Sequence, residues 1–128
     1  MKVYLSVPMI ANRALPRAKE MARAISDAGH TISSPWVLGP LEKDRATVNI
    51  FHRDKEATEA SDILVADVTD PSIGVGMEIM AAYKAGKRII LVAKKGKITS
   101  GMLAHMDRRE FVEYAEEEDI YPSLLRAL

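Results

Sequence analysis

The residues of this chain best equipped for chemistry gather in one stretch, Asp67-Val68-Thr69-Asp70-Pro71-Ser72-Ile73-Gly74-Val75-Gly76-Met77-Glu78. Two glycines and a serine ahead of a helical run let backbone N–H groups and a hydroxyl converge on an anion at the positive end of the helix dipole. Ser72, Gly74 and Gly76 are therefore candidate phosphate holders. A Gly-x-Gly alone also makes an ordinary turn, and no Gly-Lys-Ser/Thr follows to complete a Walker loop. Glu78 is flanked by Met77, Ile79, Met80, Ala81 and Ala82, which leaves two readings open. It is either a carboxylate at a lined cavity or an exposed first-turn residue that stabilises the helix dipole by about 0.3–1 kcal/mol. Asp54 is a second carboxylate. Its stripe mates Ile50 and Ala57 turn it inward, whereas the run Arg53-Asp54-Lys55-Glu56 turns it to solvent. Asp67 and Asp70 are rivals that equally suit a turn. Tyr4 alternates with Leu5 in the first strand and fits an ordinary core position, and Trp36 either stacks on a base or covers a core edge.

The surrounding pattern says what must position these groups. Ile63-Leu64-Val65-Ala66 and Ile89-Ile90-Leu91-Val92 read as buried parallel strands on either side of a helix from about Val75 to Ala85. Glu78 then falls in that helix's first turn. Lys2–Val7 is a central first strand halted by Pro8. A helix follows with Pro16 in its first turn, Ala18, Met21, Ala22, Ile25 and Ala28 on its inner face, and Gly29 as its stop. His30–Ser33 is a short strand nearer an edge. A loop holds Trp36, and a helical pattern runs from Asp44 to about Ala60 with Val48 and Phe51 on one stripe. Thr99-Ser100 caps a short helix through Met106; Phe111–Tyr114 is a fifth strand and Ile120–Leu128 a closing helix. Met77, Met80, Met102 and Met106 are expected to fill the core more than an interface. This alternation predicts one domain over residues 1–128. The fold class is α/β, a doubly wound, flavodoxin/Rossmann-like three-layer sandwich whose five-stranded parallel sheet has the order 2-1-3-4-5.

Composition narrows the function. Eighteen basic residues balance eighteen acidic ones, so no strong field recruits nucleic acid or anionic lipid. There is no cysteine for a disulfide or thiolate site, and His30, His52 and His105 lack zinc spacing, so neither a metal nor a cofactor is expected. The first residues read as a strand and not as a signal peptide, and no run approaches the ~20 apolar residues of a membrane span. The expectation is a soluble cytoplasmic protein without a membrane partner.

Taken together, the stretch from Ala66 to Glu78, preceded by Ser61-Asp62 and followed by Gly86-Lys87-Arg88-Ile89, resembles the signature of the nucleoside 2-deoxyribosyltransferase superfamily. It is most similar to the 2'-deoxynucleoside 5'-monophosphate N-hydrolase branch. The resemblance extends to Tyr4 and Ser6 in the first strand, Asp54 in the second helix and Ser100-Gly101-Met102. It implies that Glu78 is the nucleophile, that Asp54 and Tyr4 assist it, and that Ser72, with Gly74 and Gly76, holds the 5'-phosphate. It also implies a metal-free homodimer in which Ser100, Gly101 and Met102 reach into the neighbouring subunit's site. Where the family carries glycines after the first strand, this chain has Val7, Pro8, Ala11 and Asn12. Ser6, Met9, Ile10 and Arg13 are the residues of that region expected at the substrate. The implied activity is hydrolysis of a deoxynucleoside monophosphate to free base and 2-deoxyribose 5-phosphate. Base exchange on nucleosides, ribonucleotide hydrolysis and non-catalytic nucleotide binding are the alternatives.

Overall fold

The computed structural model describes residues 1–41, 48–97 and 100–128. Five strands, β1 (Lys2–Ser6), β2 (Thr31–Ile32), β3 (Ile63–Asp67), β4 (Arg88–Lys94) and β5 (Arg109–Tyr114), form one parallel sheet ordered β2-β1-β3-β4-β5. This is the expected order, with β1 and β3 side by side; Tyr4 pairs with Leu64 and Ser6 with Ala66. Five helices alternate with the strands: α1 (Leu15–Asp27), α2 (Ile50–Ala60), α3 (Ile73–Lys84), α4 (Gly101–His105) and α5 (Ile120–Ala127). Asn49 caps α2 by accepting the His52 N–H, and the part of the expected second helix at 44–47 lies outside the described residues, as does Thr99.

Strand parity decides which residues can meet. Val3 and Leu5, Ile63 and Val65, and Ile90 and Val92 face α1 and α5, where Met21, Ile25, Ile120 and Leu124 complete one core. Tyr4, Leu64, Ala66, Ile89 and Leu91 face the opposite way, against Val75, Ile79 and Ala82 of α3 and Ala57 of α2. Side chains alternate along a strand, so Ser6 shares the face of Tyr4, and Asp67 shares the face of Val65.

Two expectations about packing are overturned. Phe51, placed on an apolar stripe by its spacing, is 54% exposed, and α2 buries Thr58 instead. Met77, Met80 and Met102 do not fill the core; they stand out in solvent with Ile73, while Met106 alone of the four packs against it. Ile73, Met77 and Met80 are spaced to lie along one face of α3, so the chain keeps an apolar stripe outside its own core.

Asp67 closes β3 beneath the α1 side of the sheet. It is fully buried, accepts Arg17 Nε at 2.8 Å and the Thr69 N–H at 3.0 Å, and Thr69 in turn shares a 2.8 Å hydrogen bond with the Tyr114 hydroxyl. Breaking such a pair strands a charge. Asp67→Ala is expected to lower unfolding stability by about 3–5 kcal/mol, read by urea denaturation, with no special effect at the opposite face.

Candidate functional site

The hairpin of chain between β3 and α3 sets the geometry. Ser72 is extended (φ −149°, ψ 124°), and its Oγ accepts the Val75 N–H, so it is the N-cap and the helix begins at Ile73. That is two residues earlier than the sequence pattern suggests. Gly74 and Gly76 are thereby in the opening turn and not before it, and Glu78 moves to the second turn, beyond the reach of a simple helix-end effect. Glycine inside a helix costs about 1 kcal/mol against alanine. A Cβ at either position would meet no heavy atom within 4 Å, and neither residue has a positive φ. Packing therefore does not demand glycine there; bare backbone facing open space suits a ligand that comes close. Asn12, held at φ 63°, donates from Nδ2 to the Pro71 carbonyl at 2.9 Å and ties the β1–α1 loop to this turn.

Six residues beyond Ser72, about 9 Å along the helix axis, Glu78 turns toward β1. The Tyr4 hydroxyl donates a very short hydrogen bond to Oε2, and the Ser6 hydroxyl donates to Oε1 at 3.0 Å. Both donors are completely buried, so the carboxylate plane is fixed from below. Burial drives the Glu78 carboxyl up to about 7, against the pull of the Tyr4 and Ser6 hydrogen bonds; the charge of Asp54 adds to the rise and that of Arg53 opposes it. Burial and the neighbouring Glu78 push the Tyr4 hydroxyl far above the usual phenol range, so it remains a donor at any working pH.

Glu78 opens onto a hollow of about 750 Å³ at the carboxyl ends of β1 and β3. Met9, Ile10, Trp36, Leu41 and Ile50 make its apolar walls, and Asp54, Arg53, Ser72 and Gly74 supply its polar ones. Asp54, which its charge run placed in solvent, faces this hollow and accepts Arg53 Nε at 2.8 Å. Trp36 sits in a short 3-10 turn, Pro35–Leu38, where it meets both cores and lines the hollow.

Other expected site residues lie elsewhere. Arg13 does not line the hollow; its guanidinium donates to the carbonyls of Val37 and Gly39 and so braces the turn that carries Trp36. Gly76, Ser100 and Met102 line a second hollow of about 570 Å³ between α3 and α4, on the far side of α3 from Glu78. Ser100 caps α4 through the Leu103 N–H, and Gly101 is that helix's exposed first residue. Asp67 is on the opposite face of the sheet under Arg17, and Asp70 pairs with Lys97 at 3.1 Å, which, with Arg17, holds its carboxyl below the usual range. Neither meets Glu78. Arg53 is the residue that sequence reasoning passed over. The signal was present, a cation next to Asp54 on the helix, but it was submerged in a run of charges.

Among the described residues, no group of three or more His, Cys, Asp or Glu side chains could hold a metal ion. No described helix is long and apolar enough to cross a membrane.

No family model matches the chain. Over 104 residues it is 36% identical to a protein of Thermofilum pendens named "Putative 2'-deoxynucleoside 5'-phosphate N-hydrolase 1", covering 78% of this chain and 73% of that one. A protein of the same name from Methanococcoides burtonii is 31% identical over 109 residues, covering 80% and 88%. Solved structures share the fold, two of them as follows. The Clostridium botulinum CMP N-glycosidase BcmB superposes with a TM-score of 0.71 at 20% identity, over 97% of this chain and 98% of that one. A 2-deoxyribosyltransferase of Bacillus psychrosaccharolyticus gives 0.69 at 23% identity, over 94% and 90%.

Proposed function

This chain belongs to the 2'-deoxynucleoside 5'-phosphate N-hydrolase family of the nucleoside 2-deoxyribosyltransferase superfamily, and from that premise we propose that it hydrolyses the N-glycosidic bond of 2'-deoxynucleoside 5'-monophosphates. The observation that carries this reading is Glu78. Its carboxylate is held by two buried hydroxyls at the floor of an apolar hollow, with an anion-ready helix start one and a half turns away. The 5'-phosphate rests on the first-turn amides of α3 beside Ser72 and Gly74, which fixes the sugar over Glu78. Glu78 attacks C1' as the C1'–N bond breaks, and the electron pair goes to the base. Water then opens the resulting glycosyl ester, giving 2-deoxyribose 5-phosphate, the free base and the original carboxylate. Asp54 serves at the base side of the sugar as a hydrogen-bonding partner.

The test is chromatography of free base from a panel of deoxynucleoside and ribonucleoside monophosphates, wild type against Glu78→Ala. A second arm adds a competing base to an unphosphorylated deoxynucleoside. Base release from a monophosphate that depends on Glu78 supports the hydrolase; exchange without phosphate would replace it with the transferase reading. Ser72→Ala is expected to lose about 1 kcal/mol of stability with its cap. It should also raise KM for a monophosphate on the order of tenfold, while leaving any turnover of the corresponding nucleoside unchanged.

The working unit in this reading is a homodimer. The support is the apolar stripe Ile73, Met77 and Met80 on α3, with Met102 76% exposed beside the second hollow. Exposed apolar patches of this kind mark partner surfaces, and a second copy would bring Ser100, Gly101 and Met102 toward its neighbour's substrate. Met77→Glu is expected to convert the species seen by light scattering after size exclusion from dimer to monomer, and to lower base release together with it.

A further inference from the structure

With the phosphate at the start of α3 and C1' over Glu78, the base has one part of the hollow left to occupy. Of the residues lining the hollow, Trp36, Leu41, Ile50, Arg53 and Asp54 belong neither to the start of α3 nor to the loop after β1. The tryptophan does not meet this space alone. The Arg53 guanidinium carbon lies 4.2 Å from the centre of the Trp36 ring, a cation–π stack, and Arg53 Nε donates to Asp54 Oδ1. The stack is rigidly backed. Trp36 meets Tyr4 edge-on at 6.3 Å, and the buried Ser34 hydroxyl exchanges hydrogen bonds with both backbone groups of Leu5 at 2.9 and 2.8 Å. Arg53 and Asp54 are about three-quarters covered, so their charges act in a poorly screened space.

Cleavage of the C1'–N bond leaves an electron pair on the base. The site can answer with a proton or with a fixed positive charge. Guanidinium does not give up its proton at any working pH, so it answers with charge. We propose that Arg53, stacked on Trp36 and held by Asp54, is the cation that receives the negative charge of the departing base, and that the site thereby favours bases that leave as oxygen-delocalised anions, as keto pyrimidines do. The base departs as its anion when C1' transfers to Glu78, and takes a proton from water after release. The inference rests on the hydrolase reading of Glu78. It gives Asp54 a second role, holding the cation in place, and it makes Trp36 the platform of that cation in addition to a wall for the base.

The experiment is a leaving-group series: the 5-fluoro, unsubstituted and 5-methyl 2'-deoxyuridine 5'-monophosphates, whose bases are progressively worse anions. Each is assayed for base release with wild type, Arg53→Gln, Arg53→Lys and Glu78→Gln. Wild type is expected to vary little across the series. Arg53→Gln is expected to lose about 10-fold in kcat/KM with the 5-fluoro base and about 100-fold with the 5-methyl base; Arg53→Lys should recover part of that difference. The ratio between two substrates is taken within one preparation, so partial unfolding of a variant does not alter it. Equal losses on all three substrates overturn the proposal. Failure of the wild type to release any of these bases also overturns it, and release from other nucleotides would then leave the hydrolase reading standing. Full activity of Glu78→Gln would instead bring down that underlying reading.

Discussion

Glu78→Gln is expected to fold, to bind a deoxynucleoside monophosphate about as tightly as the wild type, and to release base at least about 1,000-fold more slowly. The separation of binding from turnover follows from where the carboxylate sits. It lies on the second turn of α3, away from the first-turn amides and Ser72 that would hold the phosphate. Removing its charge therefore takes away the group that would attack C1' without touching the anchor. The same substitution is expected to raise stability at neutral pH. A carboxylate kept in an apolar hollow is a desolvated charge, and sites of this kind gain stability when their function is removed. Two measurements check the prediction: isothermal titration with the substrate beside a thermal melt, and the intact mass of enzyme quenched during turnover. Wild type should carry a trapped 2-deoxyribose phosphate and Glu78→Gln none. A variant that turns over normally would reduce the site to a binding module.

Much of this arrangement was legible in the order of residues, and the parts that were not have identifiable causes. The sheet order followed from two apolar runs flanking a glycine turn and a helix, because parallel strands need a crossover and leave their carboxyl ends as the place for a ligand. Parity could also have separated Glu78 from Asp67. In Ile63-Leu64-Val65-Ala66-Asp67 the aspartate alternates onto the face of Val65, away from Tyr4 and Ser6. The helix starts two residues before the pattern predicts, because glycines at 74 and 76 argue locally against helix. The Ser72 cap, together with the burial of Val75, Ile79 and Ala82, outweighs them. Arg53, and the side to which Asp54 turns, are obscured for a different reason. A run of four charged residues has no periodicity that marks which of them faces inward, and only the position of α2 against α3 and the Trp36 turn decides it. The exposure of Met77, Met80 and Met102 is not legible in the sequence, because methionine fits a core and an interface equally well.

The second large effect expected is on the pH dependence, and it distinguishes stability from activity by sign. The folded-state value for Glu78, about 7, lies above its ordinary value of 4.5. The native protein thus holds this proton more tightly than the unfolded chain does. Its contribution to stability is fully present below pH 4.5 and is lost as pH rises through 7, amounting to roughly 3 kcal/mol. The difference in unfolding free energy between wild type and Glu78→Gln, followed by urea denaturation from pH 5 to about pH 8, should fall along that curve. Activity moves the opposite way. A nucleophilic carboxylate must be ionised, so kcat should climb through pH 7 to a plateau as stability declines. Tyr4→Phe tests the coupling. The tyrosine donates to Oε2 and favours the ionised carboxylate, so its loss should move the rising limb of kcat upward by about one pH unit. At pH 7 the variant is expected to be on the order of tenfold slower, and part of that deficit should be recovered near about pH 8.5. The substrate's phosphate also titrates, near about pH 6, but it does so identically for both proteins, so the ratio of their profiles removes it. A ratio that stays flat with pH would mean that Tyr4 packs against Glu78 without tuning it, and the hydrogen bond would then have no part in setting when the carboxylate is charged.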